Sequence, residues 1–200
     1  MLKELASKKI AIDIDDVLSL TVRSFLDFIR EDHDIDMQYD EFTEYRAHEL
    51  KAFKSKNIDE DGVYALWRAF SDSHIWKSMK TIEWSEESLR KLSREWYEFI
   101  LITARNESLR DYTLNWLEKS YPDIYFSWLH FTWGLKWAHI KKSEVCKRHW
   151  IELMIEDNAD NVLELAENWI KCYLFNRPWN QNHTVDHPCI KRIDSWQEIF

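Results

Sequence analysis

A chain of 200 residues with 45% hydrophobic and 32% charged residues suits one folded domain with a modest insertion. It contains no apolar stretch of membrane-spanning length and no signal-peptide core near its start, and its three cysteines lack a close Cys-x-x-Cys spacing, so we expect a cytoplasmic protein. A net charge of −9, with eleven acidic against four basic residues between 31 and 61, disfavours a nucleic-acid polymer as partner.

The first predicted strand, about residues 9–14, is an apolar run that ends in carboxylates. Asp13, Asp15 and Asp16 follow Ile10-Ala11-Ile12, at the strand end where open α/β sheets bind ligands. A turn or a helix cap would explain one of these carboxylates. Three like charges repel one another, and a metal ion or a phosphoryl group is the usual compensation.

A helical block follows the first strand. The spacing of Phe25, Leu26, Phe28 and Ile29 predicts a helix that begins near Ser19 or Thr21. A second helix is expected after Thr43 and a third from about 60 to 70, with no strand between 17 and 80. We therefore expect residues 19–79 to form a helical insertion in a core made of 1–18 and 80–200.

From Ser85 onward, predicted helices and strands alternate. Strands are predicted over 98–103, 124–132, 152–155, 172–175 and 190–193, and helices from 85, after 106, over 142–149 and over 159–170. Ser195 and Glu198 form a capping box for a short last helix. Such alternation predicts a doubly wound parallel sheet whose strands all end at one edge.

Further polar residues lie at the ends of these strands or at the start of a neighbouring helix. Thr103 ends the second predicted strand, Glu156 and Asp157 follow the fourth, and Lys142 opens the preceding helix. Each has a structural alternative, namely a helix cap for the first three and a solvated surface lysine for Lys142. Their joint position at the ligand-binding edge favours a functional site.

With these residues, the chain resembles the haloacid-dehalogenase-like (HAD-like) phosphohydrolases. The matching strings, in order, are Asp13-Ile14-Asp15-Asp16-Val17, Leu101-Ile102-Thr103-Ala104-Arg105, Lys142, and Ile155-Glu156-Asp157-Asn158-Ala159-Asp160-Asn161. More narrowly, the chain is similar to the 5′(3′)-deoxyribonucleotidase family and its bacterial relatives, through strings such as Leu129-His130-Phe131-Thr132 and Phe175-Asn176-Arg177-Pro178-Trp179-Asn180. The resemblance implies a Rossmann-like sheet with a small helical cap after the first strand. Asp16 departs from the pattern, because many relatives carry Gly there, and we expect its charge to alter the electrostatics of the site without abolishing activity.

The resemblance also implies a reaction. Asp13 would be the nucleophile that forms an aspartyl-phosphate, and Asp15 would act as general acid and then as general base. Thr103, the Ala104 amide and Lys142 would bind the phosphoryl oxygens. The second Asp argues against dehalogenation, which proceeds without a paired acid.

The implied cofactor is Mg²⁺, which prefers oxygen ligands. Asp13, the carbonyl of Asp15 and Asp157 would bind it, with Glu156 and Asn161 in support. His183, His187 and Cys189 could suggest a zinc site, but three such residues in a polar loop are weak evidence.

The substrate class is the last expectation. Trp67, Phe70 and Trp76 could stack on a nucleobase, although aromatic residues at helical spacing more often form a core. We expect a phosphomonoesterase for (deoxy)nucleoside monophosphates. Two alternatives stay open: a phosphatase for a sugar or other small organic phosphate, and a catalytically idle binding module. The sequence leaves the oligomeric state open.

Overall fold

A six-stranded parallel sheet organises the protein, for which a computed structural model describes residues 1–133 and 140–200. The strands are β1 (Lys9–Ile12), β2 (Glu98–Asn106), β3 (Phe126–Trp133), β4 (Leu153–Glu156), β5 (Lys171–Phe175) and β6 (Ile190–Ile193). Their order is β3-β2-β1-β4-β5-β6, and every pairing is parallel. This confirms the predicted α/β fold class and makes β1 central.

Helices cover both faces of the sheet. They are α1 (Thr21–His33), α2 (Lys51–Ser55), α3 (Glu60–Asp72), α4 (His74–Lys77), α5 (Ser85–Arg94), α6 (Arg110–Ser120), α7 (Lys142–Arg148) and α8 (Ala159–Glu167). Alternate residues of β1 point to opposite faces, so Ile10 and Ile12 join the core with α5 and α6, whereas Ala11 joins a second core with α7 and α8. Because both faces are covered, the central strands are continuously apolar.

The helices α1 to α4 lie between β1 and α5 and pack on one another through aromatic side chains. Phe70 has no exposed surface and contacts the rings of Phe25, Phe28, Trp67 and Trp76.

Two backbone segments join this helical part to the sheet, and they pair with each other. Leu20 donates its amide to the carbonyl of Lys80 at 2.9 Å, and Ile82 donates to Leu18 at 2.8 Å. A buried indole also anchors the second of these segments, because Trp116 donates its N–H to the carbonyl of Met79 at 2.9 Å.

Several element boundaries differ from the sequence-based expectations. β1 ends at Ile12 because the chain turns directly afterwards, with Asp16 in the left-handed region at φ 53°. α2 begins only at Lys51, since short 3-10 turns occupy 39–41 and 47–49. β2 continues to Asn106 through a shift in its register with β3. No helix in the described part of the chain is long and apolar enough to cross a bilayer.

Left-handed backbone is unusually common for a chain with two glycines. Within residues 1–133 and 140–200, seven non-glycine residues have positive φ, namely Asp16, Asp34, Asn57, Trp84, Trp96, Trp150 and Trp169. A side chain in this region costs about 1–2 kcal/mol, which glycine avoids.

Candidate active site

Asp13 lies in the centre of the carboxyl edge of the sheet, directly after β1. Its amide donates to the carbonyl of Ile155 at 3.0 Å, which fixes it beside β4. Lys142, the first residue of α7, places its ammonium 3.0 Å from Asp13 Oδ1 and 2.9 Å from Glu156 Oε2. All three side chains are buried. One cation therefore bridges two carboxylates that belong to neighbouring strands.

Asp157 adds a third carboxylate to this group. Ligand oxygens of Asp13, Glu156 and Asp157 lie within 4.8 Å of one another. Asp157 Oδ1 is buried and has no hydrogen-bond partner among the residues described. An orphaned carboxylate oxygen facing two other carboxylates fits a hard divalent cation, so the donor set suits Mg²⁺.

Neighbouring side chains hold the carboxylates of this cluster in place. Trp179 donates its indole N–H to Asp157 Oδ2 at 2.9 Å, and Asn180 donates to the Asp157 carbonyl at 2.7 Å. Asn161 donates to Glu156 Oε1 at 2.7 Å. Such contacts fix the orientation of metal ligands. Trp179 and Asn180 belong to one of the sequence strings that support the family resemblance, but sequence reasoning assigned no role to either residue.

The electrostatics of the cluster follow from its burial. Burial raises the pKa of Asp13 to about 8, although Lys142 opposes the shift and Glu156 adds to it. Burial, together with the Glu156 and Asp13 charges, raises the pKa of Asp157 well above its ordinary value. The negative charge of this cluster exceeds what Lys142 alone neutralises, so a bound cation would stabilise the ionised forms.

Asp15 has a different set of partners. The Arg105 guanidinium contacts both its carboxylate oxygens, at 2.7 to 3.1 Å, and Thr21 donates to Oδ1 at 2.7 Å. Burial opposes ionisation of Asp15, but the Arg105 and Thr21 contacts outweigh it and lower its pKa. Asp15 is not one of the three carboxylates whose side-chain oxygens cluster. Sequence patterns alone assigned no role to Arg105, which directly follows Thr103 and Ala104.

Asp16 has a structural role. Its Oδ2 accepts from the amide of Val22 at 3.0 Å, in the first turn of α1, and its carbonyl accepts from Arg177 at 2.7 and 3.0 Å. It is 2% exposed, and burial raises its pKa to about 7. Asp16 therefore connects the turn after β1 to α1 and to the loop after β5.

The predicted phosphate-binding residues lie at the end of β2. Thr103 is fully buried, and its hydroxyl accepts from the amide of Arg105 at 3.1 Å. Ala104 is exposed and lines a cavity at this edge of the sheet.

A cavity of about 740 Å³ lies between the sheet edge and the helices α1, α3 and α4. Ligand pockets have this size, about 300–1,000 Å³. Trp67 and Trp76 line it, together with Tyr45, Tyr64 and Arg68, whereas Phe70 is absent from the lining and lies in the aromatic core. The residues that line it are Asp15, Asp16, Thr21, Val22, Phe42, Tyr45, Tyr64, Trp67, Arg68, Ser71, Trp76, Ala104, Arg105, Asn106, Ser108, Leu109, Trp133, Asp157 and Trp179.

The aromatic walls already have contacts within the protein. Trp67 stacks on Phe25, with ring centroids 3.8 Å apart, and the Arg105 guanidinium lies 4.5 Å from the ring of Trp76. Tyr64, more than half exposed, presents a larger free surface to the cavity.

The loop between α1 and α2 contacts the side of the site where Asp157 lies. Tyr39 and Phe42 pack edge-on against Trp179, at centroid distances of 5.9 and 5.8 Å. The loop thus touches the residue that orients Asp157.

The zinc alternative gains no support from the structure. Within residues 1–133 and 140–200, the group formed by Asp13, Glu156 and Asp157 is the one set of three possible metal ligands close enough to share an ion. His183, His187 and Cys189 do not form such a group there.

Comparison with known proteins identifies the family. The α/β fold of this chain is similar to that of solved phosphatases and HAD-like hydrolases. One structure, described as a predicted phosphoglycolate phosphatase from Haemophilus somnus, superposes with a TM-score of 0.67 at 15% identity, covering 98% of this chain and 97% of the other. A HAD family hydrolase from Deinococcus radiodurans, solved with bound phosphate and sodium, gives a TM-score of 0.61 at 13% identity, covering 96% of this chain and 93% of the other. The protein has the HAD-like phosphohydrolase fold.

The sequence narrows the assignment. Residues 7–200 match the family described as 5′ nucleotidase, deoxy (pyrimidine), cytosolic type C protein. The chain is also 27% identical over 191 residues to the protein named Putative nucleotidase YqfW from Bacillus subtilis. The matched region covers 95% of this chain and 90% of that protein. The chain belongs to this 5′-nucleotidase family, whose members are phosphomonoester hydrolases, and the predicted resemblance is confirmed.

Proposed function

We infer that the protein is a Mg²⁺-dependent phosphatase that hydrolyses (deoxy)nucleoside monophosphates through an aspartyl-phosphate. The observation that carries the proposal is the buried group of Asp13, Lys142, Glu156 and Asp157 at the carboxyl edge, beside an aromatic cavity of ligand size. We further assign residues 19–79 as a cap that covers this site, with 1–18 and 80–200 as the catalytic core.

In the first step, a carboxylate oxygen of Asp13 attacks the phosphorus atom and the ester P–O bond breaks. Lys142 neutralises charge on the phosphoryl oxygens while remaining next to Asp13, and the Thr103 hydroxyl and Ala104 amide donate to these oxygens. Asp15 gives its proton to the leaving alkoxide, so it must be protonated at this stage. Because Arg105 favours the ionised form, substrate binding has to weaken the contact between Arg105 and Asp15.

In the second step, water attacks the aspartyl-phosphate and the bond between Asp13 and phosphorus breaks. Asp15 takes the proton of this water, and inorganic phosphate leaves with Asp13 regenerated. The ionised Asp15 held by Arg105 suits this role as general base.

The residues present fit one Mg²⁺ ion. Asp13, Asp157 and the Asp15 carbonyl would hold it, with Glu156 and Asn161 orienting the group. When bound, the ion supplies positive charge that neutralises the phosphoryl oxygens.

The cavity supports a nucleotide as substrate. Trp67, Trp76 and Tyr64 line it, and Tyr64, which is more than half exposed, offers the most free ring surface to a base, whose stacking is worth about 1–3 kcal/mol. Phe70 has no exposed surface and supports the other rings from within the core.

We also infer a reducing, cytoplasmic location, because Cys146, Cys172 and Cys189 are all buried free thiols.

A panel of phosphomonoesters, assayed with Mg²⁺ and with EDTA, tests this function. We expect Mg²⁺-dependent release of phosphate from nucleoside monophosphates and much slower release from sugar phosphates. Turnover of sugar phosphates alone would shift the substrate class while leaving the chemistry intact. Absence of turnover of every phosphomonoester by folded protein in Mg²⁺ would contradict the enzymatic role.

Replacing Trp179 by Phe should weaken Mg²⁺ binding by about 10–100-fold, because the indole N–H that orients Asp157 is lost while the ring volume is largely kept. Isothermal titration calorimetry with Mg²⁺ measures the effect. Trp84→Phe, at a partly exposed tryptophan outside the cavity lining, is the matched control and should bind Mg²⁺ like the wild type. Equal Mg²⁺ affinity of Trp179→Phe and wild type would exclude this orienting role.

A further inference from the structure

Four large aromatic side chains are exposed at the amino edge of the sheet, opposite the candidate active site. Trp96 is 87% exposed, Trp150 80%, Trp169 77% and Tyr125 79%. They lie one to three residues before β2, β4, β5 and β3, respectively. Because all strands are parallel, these positions share one edge. We call the four residues the aromatic edge.

The backbone makes the three tryptophans an unusual choice. Each is the left-handed residue that ends a helix, with φ of 66° at Trp96, 57° at Trp150 and 62° at Trp169. The next residue in each case donates its amide back to the last helical turn, from Tyr97 to Leu92, from Ile151 to Cys146 and from Ile170 to Leu165. This closing motif normally has Gly, or less often Asn, at the left-handed position. The fold itself therefore gives no reason for tryptophan.

At the other left-handed helix C-terminal ends in the described part of the chain, the residues are small and polar. Asp34 after α1 and Asn57 after α2 have φ of 53° and 55°, and small polar side chains tolerate this conformation well. At the amino edge, three helices (α5, α7 and α8) are followed by a left-handed residue, and each of these three residues is tryptophan. A large apolar side chain that is strained and exposed in the monomer is explained if another surface covers it.

We propose that the aromatic edge is the contact surface for a second copy of this chain. Aromatic side chains carry about 150–250 Å² each, so the four expose on the order of 600 Å². A standard interface takes about 800 Å² from each partner, most of which this edge would supply. In a two-fold symmetric dimer the same aromatic residues would face each other.

The charges around the aromatic edge favour a second copy over a lipid surface. Acidic and basic residues both flank the tryptophans: Arg94 and Glu95 precede Trp96, and Glu167 and Lys171 lie on either side of Trp169. A rim that carries both signs can pair with its own symmetry mate, because acidic residues of one copy can face basic residues of the other. An anionic bilayer instead attracts clustered basic residues, and this chain carries a net charge of −9.

Sedimentation velocity from low micromolar to submillimolar protein tests the proposal, independently of whether the protein is a nucleotidase. We expect the wild type to shift from monomer to dimer with concentration. The triple variant Trp96→Asn, Trp150→Asn, Trp169→Asn should remain monomeric throughout. Its melting temperature, measured below the dimer range, should equal or exceed that of the wild type, since Asn tolerates the left-handed backbone, so unfolding would not explain the loss.

Trp84→Asn is the matched control. Trp84 is also left-handed, at φ 64°, and 42% exposed, but it lies before the first residue of α5, a helix length away from Trp96. This variant should dimerise like the wild type. A monomeric wild type at all concentrations, or a triple variant that still dimerises, would overturn the proposal. So would a monomer that sediments with phosphatidylcholine vesicles through these tryptophans, which would assign the edge to lipid.

Discussion

Replacing Asp13 by Asn should reduce phosphatase activity by on the order of 10⁴-fold or more, because the amide cannot act as the nucleophile that splits the reaction into two steps. The variant should remain folded. The substitution keeps the size of the side chain and removes one negative charge from a buried cluster in which burial already raises the pKa of Asp13 to about 8. Steady-state assays with a nucleoside monophosphate and Mg²⁺, together with thermal unfolding, measure both effects.

Asp160→Asn is the control for this prediction. Asp160 is an exposed carboxylate in the first turn of α8, close in sequence to Asp157, and it makes none of the contacts of the candidate site. Its replacement should leave activity within a small factor of the wild type. If Asp13→Asn retained a tenth or more of the wild-type activity, Asp13 would not be the nucleophile.

Replacing Lys142 by Met should destabilise the metal-free protein by about 3–5 kcal/mol, since Asp13 and Glu156 would lose the cation that they share in a buried site. For a chain of this length that corresponds to a fall in melting temperature of about 6–20 °C. Mg²⁺ should restore part of the loss, because it would also neutralise these carboxylates. Differential scanning calorimetry with Mg²⁺ and with EDTA measures the difference.

The neighbouring lysine provides the control for Lys142→Met. Lys141 is largely exposed, and its ammonium lies 4.0 Å from the Glu164 carboxylate, which is a long and therefore weak surface ion pair. Lys141→Met should change the melting temperature by no more than a few degrees, with or without Mg²⁺. A Lys142→Met variant as stable as Lys141→Met in EDTA would show that the buried ion pairs contribute little.

The sequence predicted the sheet and the positions of the central side chains because both depend on local patterns. Buried parallel strands are short apolar runs, and their alternation with helices dictates that their ends share an edge. Asp13, Thr103 and Asp157 follow such runs directly, so their neighbourhood could be inferred without coordinates.

Contacts that depend on side-chain direction could not be inferred in this way. Arg105 could equally have been a surface residue, and only its conformation brings it to Asp15, 90 positions earlier. Trp179 reaches Asp157 through the path of the loop after β5. Trp67 and Phe70 are three positions apart on one helix, so periodicity placed them on the same face, whereas the structure places Trp67 at the cavity and Phe70 in the core.

Asp16 shows a further limit of the sequence. Its charge beside Asp13 and Asp15 suggested an added electrostatic role, but its carboxylate is bonded to the amide of Val22. The turn that it forms, with φ 53°, is a left-handed conformation that Gly would adopt without strain.

The most direct test of the mechanism is to trap the phosphoenzyme. The wild-type protein with Mg²⁺ is mixed with a ³²P-labelled nucleoside monophosphate, quenched in acid during the first turnover and digested. We predict that the label lies on the peptide that contains Asp13, that hydroxylamine releases it as expected for an acyl phosphate, and that Asp13→Asn carries none. Turnover without a labelled peptide at any quench time, or a label on another residue, would contradict the account.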